Sequence, residues 1–165
     1  MMKFKEYNRD RAVEYAHKWA FGRNSAYYNF DGMGGDCTNF VSQCIYAGGA
    51  VMNYVPDLGW FYVSSKKRSA AWSGVQYLYN FLTKNKSVGP YGHEAPISET
   101  HIGDVIQLRF DKDSYTHSLF VVKVGEEPSE NNIYISCHTM DSDNRPLNSY
   151  DYTSHRLIHI DGINV

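Results

Sequence analysis

Apolar residues recur at helical spacing in three places before residue 85, and after residue 100 they gather into short dense runs. From Tyr7 to Phe21 the positions Ala12, Val13, Ala16, Trp19 and Ala20 fall on one stripe, with Asn8 or Asp10 as a cap and Gly22 as the stop. A second stripe of Phe40, Val41, Cys44 and Ile45 follows Gly34-Gly35-Asp36-Cys37 and ends at Gly48-Gly49. It predicts a helix that opens at Cys37, with Asp36 capping its free amides. A third stripe, Trp72, Val75, Leu78, Tyr79 and Leu82, ends before Gly89-Pro90. Residues 50–67 mix turn residues with aromatics and read as a loop with a short strand at Trp60 to Val63.

Beyond Pro96 the composition becomes that of strands: Asp104 to Phe110, Ser118 to Val124, Ile133 to His138 and His155 to Ile160, with the polar stretch Gly125 to Asn132 as a long hairpin loop. Helices come first and strands follow. That segregation predicts an α+β domain, a mostly antiparallel sheet with helices packed on one side, rather than a doubly wound parallel sheet. No internal repeat, low-complexity tract or linker interrupts the 165 residues, so residues 1–165 read as one domain.

Charge and cysteine count narrow the function classes. A net charge of −2 and a pI near 6.4 give no footprint for nucleic acid or an anionic membrane. No apolar run reaches the length of a membrane span and no signal-peptide pattern opens the chain, so it reads as a soluble domain. A removed leader or a longer chain would make it secreted or wall-associated, so the compartment stays open, as does the oligomeric state. Three cysteines without a Cys-x-x-Cys pair make neither a disulfide framework nor a structural zinc site, and a free thiol is expected. The 14 tyrosines fit a cleft for sugars or peptides as well as ordinary core edges.

The candidate chemistry centres on Cys37. It lies on the inward face of its helix, at the end where free N–H groups and the helix dipole favour negative charge and lower a thiol pKa. The competing reading is a small buried hydrophobe. A thiolate nucleophile needs a base, and the base needs a group to hold its ring. His117 opens a strand at the sheet rim, and His138 sits near the end of the next strand, on the opposite face from Cys137; a hairpin of the two brings the histidines together. Cys44 and Cys137 read as inert, and His17, His93, His101, His155 and His159 as structural. The aromatics around Trp60 and Tyr62 are candidates for a substrate cleft.

The stretch Gly34-Gly35-Asp36-Cys37-Thr38-Asn39-Phe40-Val41-Ser42-Gln43 resembles the bacterial "putative amidase domain" family. Around it stand Tyr15-Ala16-x-x-Trp19-Ala20-x-x-Arg23-Asn24 and Tyr28-x-Phe30, then Gly59-Trp60, Ser69-Ala70-Ala71-Trp72, Tyr77-Leu78-x-x-Phe81-Leu82, Gly103-Asp104-Val105-Ile106-Gln107, Thr116-His117-Ser118 and His138-Thr139-x-Asp141, in the family's order. The family is similar to the CHAP and NlpC-type members of the papain-like superfamily. The resemblance implies a papain-like fold in which Cys37 is the nucleophile, His117 the general base and acid, and His138 the orienting residue, with Asp141 and Asn144 as contenders for that third place. The Cys37 amide, aided by Asp36 or a residue of the preceding loop, would form the oxyanion hole. The implied activity is a cysteine amidohydrolase or peptidase without a cofactor or metal, acting on a peptide, with peptidoglycan stem or cross-bridge peptides as the leading substrate by analogy. Three alternatives stand beside it: an acyltransferase using the same residues, a peptide- or glycan-binding module on the same fold, and a zinc site of Cys37, His117 and His138.

Overall fold

A computed structural model describes residues 1–165. The chain forms β1 (Phe4–Lys5), α1 (Arg9–Trp19), α2 (Cys37–Ala47), a small hairpin of β2 (Tyr62–Ser64) and β3 (Lys67–Arg68), α3 (Ala70–Ser73) and α4 (Val75–Lys84). Then come β4 (Gly89–Ala95), β5 (Val105–Arg109), β6 (His117–Val124), β7 (Ile133–Cys137), β8 (Ser142–Pro146) and β9 (Ser154–Asn164), with single 3-10 turns at Ile97–Glu99 and Leu147–Ser149. The fold is α+β with an antiparallel sheet in the order β1-β9-β5-β6-β7-β8, in which β4 also pairs with β9.

Strand alternation gives the sheet two apolar faces. Phe120 and Val122 of β6 join Val105, Ile158 and Ile160 in a core cluster with α1, α2 and α4, while Leu119 and Val121 join Ile106, Ile135, Cys137 and Leu157 on the other side. The helices cover the first face, as the sequence predicts. The second is closed by Leu147, with Tyr150, Tyr152, Ile97 and Phe110 packed at its edges.

Helix α2 is more central than its apolar stripe implies, because every residue from Cys37 to Ile45 is buried. A helix buried all round must satisfy its polar side chains inside. Thr38 meets Ser118 (2.9 Å), Ser42 donates to the Trp72 carbonyl (2.8 Å) and accepts from the Trp60 indole (3.0 Å), and Gln43 accepts from Tyr15 (2.6 Å). Asn39 bonds the Tyr28 carbonyl and the Trp72 indole. These bonds fix the helix axis against β6 and thereby place its first turn.

Several boundaries differ from expectation. The third helix breaks at Gly74 into α3 and α4, and the short strand falls at Tyr62–Ser64, with Trp60 only bridged to Asn53. Strand β4 was hidden by Gly89, Pro90 and Gly92; a side chain at Gly92 would stand 2.1 Å from the His159 carbonyl, so glycine lets the two backbones meet. Strand β8, Ser-Asp-Asn-Arg-Pro, is a polar edge strand with no apolar alternation to reveal it.

Candidate active site

Gly34 and Gly35 adopt φ of +94° and +100°, a left-handed path open to glycine, and deliver the chain to Cys37 at the first turn of α2. Cys37 is buried, with the Ser118 backbone N–H and the Thr38 hydroxyl against its sulfur, the latter at 3.8 Å. Burial pushes its thiol up from the ordinary value, and the Ser118 and Thr38 contacts only partly oppose that. The expected lowering of the thiol pKa is therefore corrected: desolvation at this site outweighs the hydrogen bonds to the sulfur, and the Asp36 charge adds to it.

His117 opens β6, one residue from the amide that faces the Cys37 sulfur. Its imidazole makes no hydrogen bond within the protein and stands 5.9 Å, centroid to centroid, from the Tyr150 ring. Burial, then the nearby Arg145 cation, pull its pKa down to about 4, so the ring is neutral near pH 7.

The structure does not bring His138 to His117. Its Nδ1 is 2.5 Å from Asp36 Oδ2, its Nε2 is 2.8 Å from the Trp19 carbonyl, and its ring stacks on Phe40 at 4.2 Å. Both nitrogens face acceptors, so both bonds form only when the ring donates at both. The reason is strand alternation. Counting from the Phe120–Ser136 pair, His138 lies opposite Ser118 and faces α2 with it, whereas His117 shares the face of Leu119 and Val121. The reasoning that separates His138 from Cys137 also separates it from His117.

Asp36 departs from its expected role as well. It occupies the N-cap position, but its side chain makes no cap bond to α2. Instead Oδ1 accepts from the Phe30 amide (2.8 Å) and Asn39 Nδ2 (2.9 Å), and Oδ2 meets His138. Burial alone would raise this carboxyl, but His138, the Phe30 amide and Asn39 hold it below the ordinary carboxylate value. Its backbone N–H donates to Thr139 Oγ1 at 3.3 Å. Oxyanion donation by Asp36 is thus not available, while the first-turn amide of Cys37 has no backbone acceptor.

The β7–β8 turn carries this arrangement. Thr139 and Met140 are left-handed, at φ of +65° and +56°, which is costly for a β-branched residue and is retained where surroundings fix it. Asp141 is not beside His117: it takes both Arg23 Nη atoms, at 2.9 and 3.0 Å, and Arg23 also holds Asp31 at 2.6 Å. Arg23 therefore ties the turn to the glycine loop that precedes Cys37. Asn144 is exposed and left-handed, with no bond to the site. Arg23, Thr139, Tyr150 and Arg145 carried no signal in periodicity or spacing; only the resemblance had touched Arg23 and Thr139.

Trp60 is fully buried, bonded to Ser42 and packed on Trp72 at 4.8 Å, so it is core rather than cleft wall. Tyr62 is half-buried, and its hydroxyl accepts from the Tyr28 amide at 2.7 Å. With His138 committed to Asp36 and Trp19, the Cys37, His117 and His138 set cannot close on a zinc ion; no group of three or more His, Cys, Asp or Glu is placed to hold a metal. Two large clefts lie elsewhere: one of about 760 Å³ between Tyr7, Arg9 and Ile102, the other of about 540 Å³ between Val55, Leu58 and Tyr77. Neither includes Cys37 or His117.

An antiparallel α+β domain with a buried helix-start thiol, whose sulfur faces the amide one residue along the strand from a buried histidine, describes the class. The family described as "Putative amidase domain" matches residues 6–160, and the chain belongs to it. At a coarse level that membership points to amide hydrolysis. The chain is also similar to the "Uncharacterized protein YhbB" of Bacillus subtilis (strain 168), at 34% identity over 119 residues, covering 71% of this chain and 37% of that relative. No solved structure matches the chain. No helix is long and apolar enough to cross a membrane.

Proposed function

We propose that the protein is a cysteine amidohydrolase or peptidase of papain-like, NlpC/CHAP-type design. The observation that supports this most is the juxtaposition of Cys37 with Ser118 at the start of β6, next to a histidine kept neutral by burial. A neutral imidazole is the form that accepts a proton. As a substrate carbonyl docks, His117 takes the Cys37 proton while the sulfur attacks carbon. The free Cys37 amide at the helix end faces the developing oxyanion, where fixed donors act in a dry site. Collapse returns the proton from His117 to the leaving amine and leaves a thioester. Water, deprotonated by His117, then releases the acid and restores the thiol. An amine in place of water gives acyl transfer by the same residues.

Asp36 and His138 serve this reaction as positioning residues: they fix the loop that presents the nucleophile, while His117 works without a protein partner on its ring. Cell-wall peptide is the leading substrate by analogy with relatives of similar design. Incubation of purified peptidoglycan with the protein, read by mass spectrometry, is expected to release peptide fragments. Wild-type protein is expected to show a mass adduct on Cys37 that Cys37→Ala lacks. Cleavage that survives Cys37→Ala would overturn the proposal, as would activity abolished by chelators; binding to peptidoglycan without cleavage or adduct would favour the binding module.

A further inference from the structure

Arg145 is a cation without a carboxylate partner, held beside the candidate site. Its Nε donates to Ser149 Oγ at 2.8 Å, its Nη2 reaches the Ser149 carbonyl at 3.4 Å, and its guanidinium lies 3.7 Å over the Tyr150 ring. The same Tyr150 ring approaches His117 at 5.9 Å, and its hydroxyl is 3.2 Å from Cys137 Sγ. Strand register agrees: Arg145 pairs with Ile135, whose side chain belongs to the face that carries Leu119, Val121 and, by alternation, His117. Asp143, two residues away along the strand, is committed to Ser136 and His17. No Asp or Glu lies within ion-pair distance of Arg145, although the other guanidinium at this end of the molecule, Arg23, pairs through its Nη atoms with Asp31 and Asp141.

A half-buried guanidinium stacked on an aromatic ring and hydrogen-bonded on one edge is pre-organised, with its Nη1 edge left over for a planar anion. A cation beside the general base otherwise works against catalysis, since it opposes the charged imidazole that forms during turnover. Its placement is explained if the substrate supplies the missing negative charge. We propose that Arg145 is a specificity residue that seats a carboxylate of the substrate next to the scissile amide, so that the preferred substrates are acidic peptides with a free carboxylate flanking the cleaved bond. This rests on Cys37 being the nucleophile.

Two alkylating probes of equal reach test it without a known substrate. Iodoacetate carries a carboxylate and iodoacetamide does not; both form a carbon–sulfur bond, expel iodide and release the thiol proton. Rates at Cys37 are read by peptide mapping at pH 8 and normalised to unfolded protein. Wild-type protein is expected to favour iodoacetate over iodoacetamide at Cys37 by roughly three- to tenfold, the scale of one nearby cation at a partly wet site. Arg145→Gln is expected to lose that preference, read as the ratio of the two rates within each protein, and Arg145→Lys to keep part of it. An iodoacetate to iodoacetamide ratio that is the same in wild type and Arg145→Gln overturns the carboxylate seat while leaving the nucleophile intact. Cys37 no more reactive than Cys44 or Cys137 toward either probe overturns both readings together.

Discussion

Replacing His138 by Ala separates a residue that aims the base from one that holds the nucleophile loop, because the two roles load different observables. In the structure His138 is 1% exposed and forms a buried pair with Asp36, a bond to the Trp19 carbonyl and a stack on Phe40. Truncation leaves the Asp36 carboxylate buried without its main counter-group, and breaking one side of such a pair costs about 3–5 kcal/mol. In a chain of 165 residues that corresponds to a fall in Tm of roughly 10 °C. Urea unfolding is the assay, with the double variant Asp36→Asn/His138→Gln closing the cycle. It should lose less than the sum of its singles, since no buried charge is stranded. Asp36 also sets a pH window: its folded carboxyl lies below the ordinary 3.8, so its contribution is present above that value and is lost as pH falls through the folded pKa. The slope of stability below pH 4 should flatten in Asp36→Asn. A His138→Ala protein with stability within about 1 kcal/mol of wild type but with turnover gone would refute this reasoning and return His138 to the chemistry.

The remaining predictions concern the dyad and the core. With His117 neutral above about 4, the acid limb of kcat/KM should fall near that value rather than near 6.5. Between those two values the unfolded chain binds a proton that the folded one refuses, so stability should decline as pH drops through that window, and His117→Gln should flatten the decline. Alkylation of Cys37 should still be climbing at pH 9, because burial holds the thiol above its ordinary value of 9.0; a plateau below pH 7 would show a preformed thiolate. Trp60→Ala should cost about 3–5 kcal/mol in unfolding measurements without altering KM in properly folded protein, as its ring is core.

The parts of the fold that announce themselves in sequence are those whose burial is one-sided. Helix α1 shows both its stripe and its cap, Asn8, whose side chain accepts the Arg11 amide at 3.0 Å. Strands β5, β6 and β7 are dense enough in Val, Ile, Leu and Phe to be read directly. Strand β4 carries no apolar pattern because backbone approach, not side-chain packing, decides its place. Nothing local distinguishes the core indole of Trp60 from a cleft indole; its neighbour Trp72 is 12 positions away and their hydroxyl partner Ser42 lies on α2. Of the candidate site, the helix position of Cys37 and the start of β6 at His117 are legible from local pattern. The Asp36–His138 pair spans 102 residues, and Arg145 and Tyr150 reach His117 from an edge strand and a loop without periodicity.

The two faces of the sheet divide the labour of the site. On the helix side, polar groups are saturated: Asp36, Asn39, Thr38, His138 and Ser118 spend their capacity on one another and on backbone, so that side is built to be rigid. On the other side His117 is unbonded, Arg145 lacks an anion, and Tyr150 stands between the Cys137 sulfur, the Arg145 guanidinium and the His117 ring. No unpaired polar atom of His117 or Arg145 is sealed from solvent, so both groups stay open to an arriving partner. A substrate amide and carboxylate would fill those vacancies together: the anion offsets Arg145, which removes the second cause of the low His117 pKa and makes the ring a stronger base when the carbonyl is in place. Under the proposed mechanism the resting dyad is held neutral until an acidic substrate docks. This ties the absence of a carboxylate triad member to the same cation that selects the substrate.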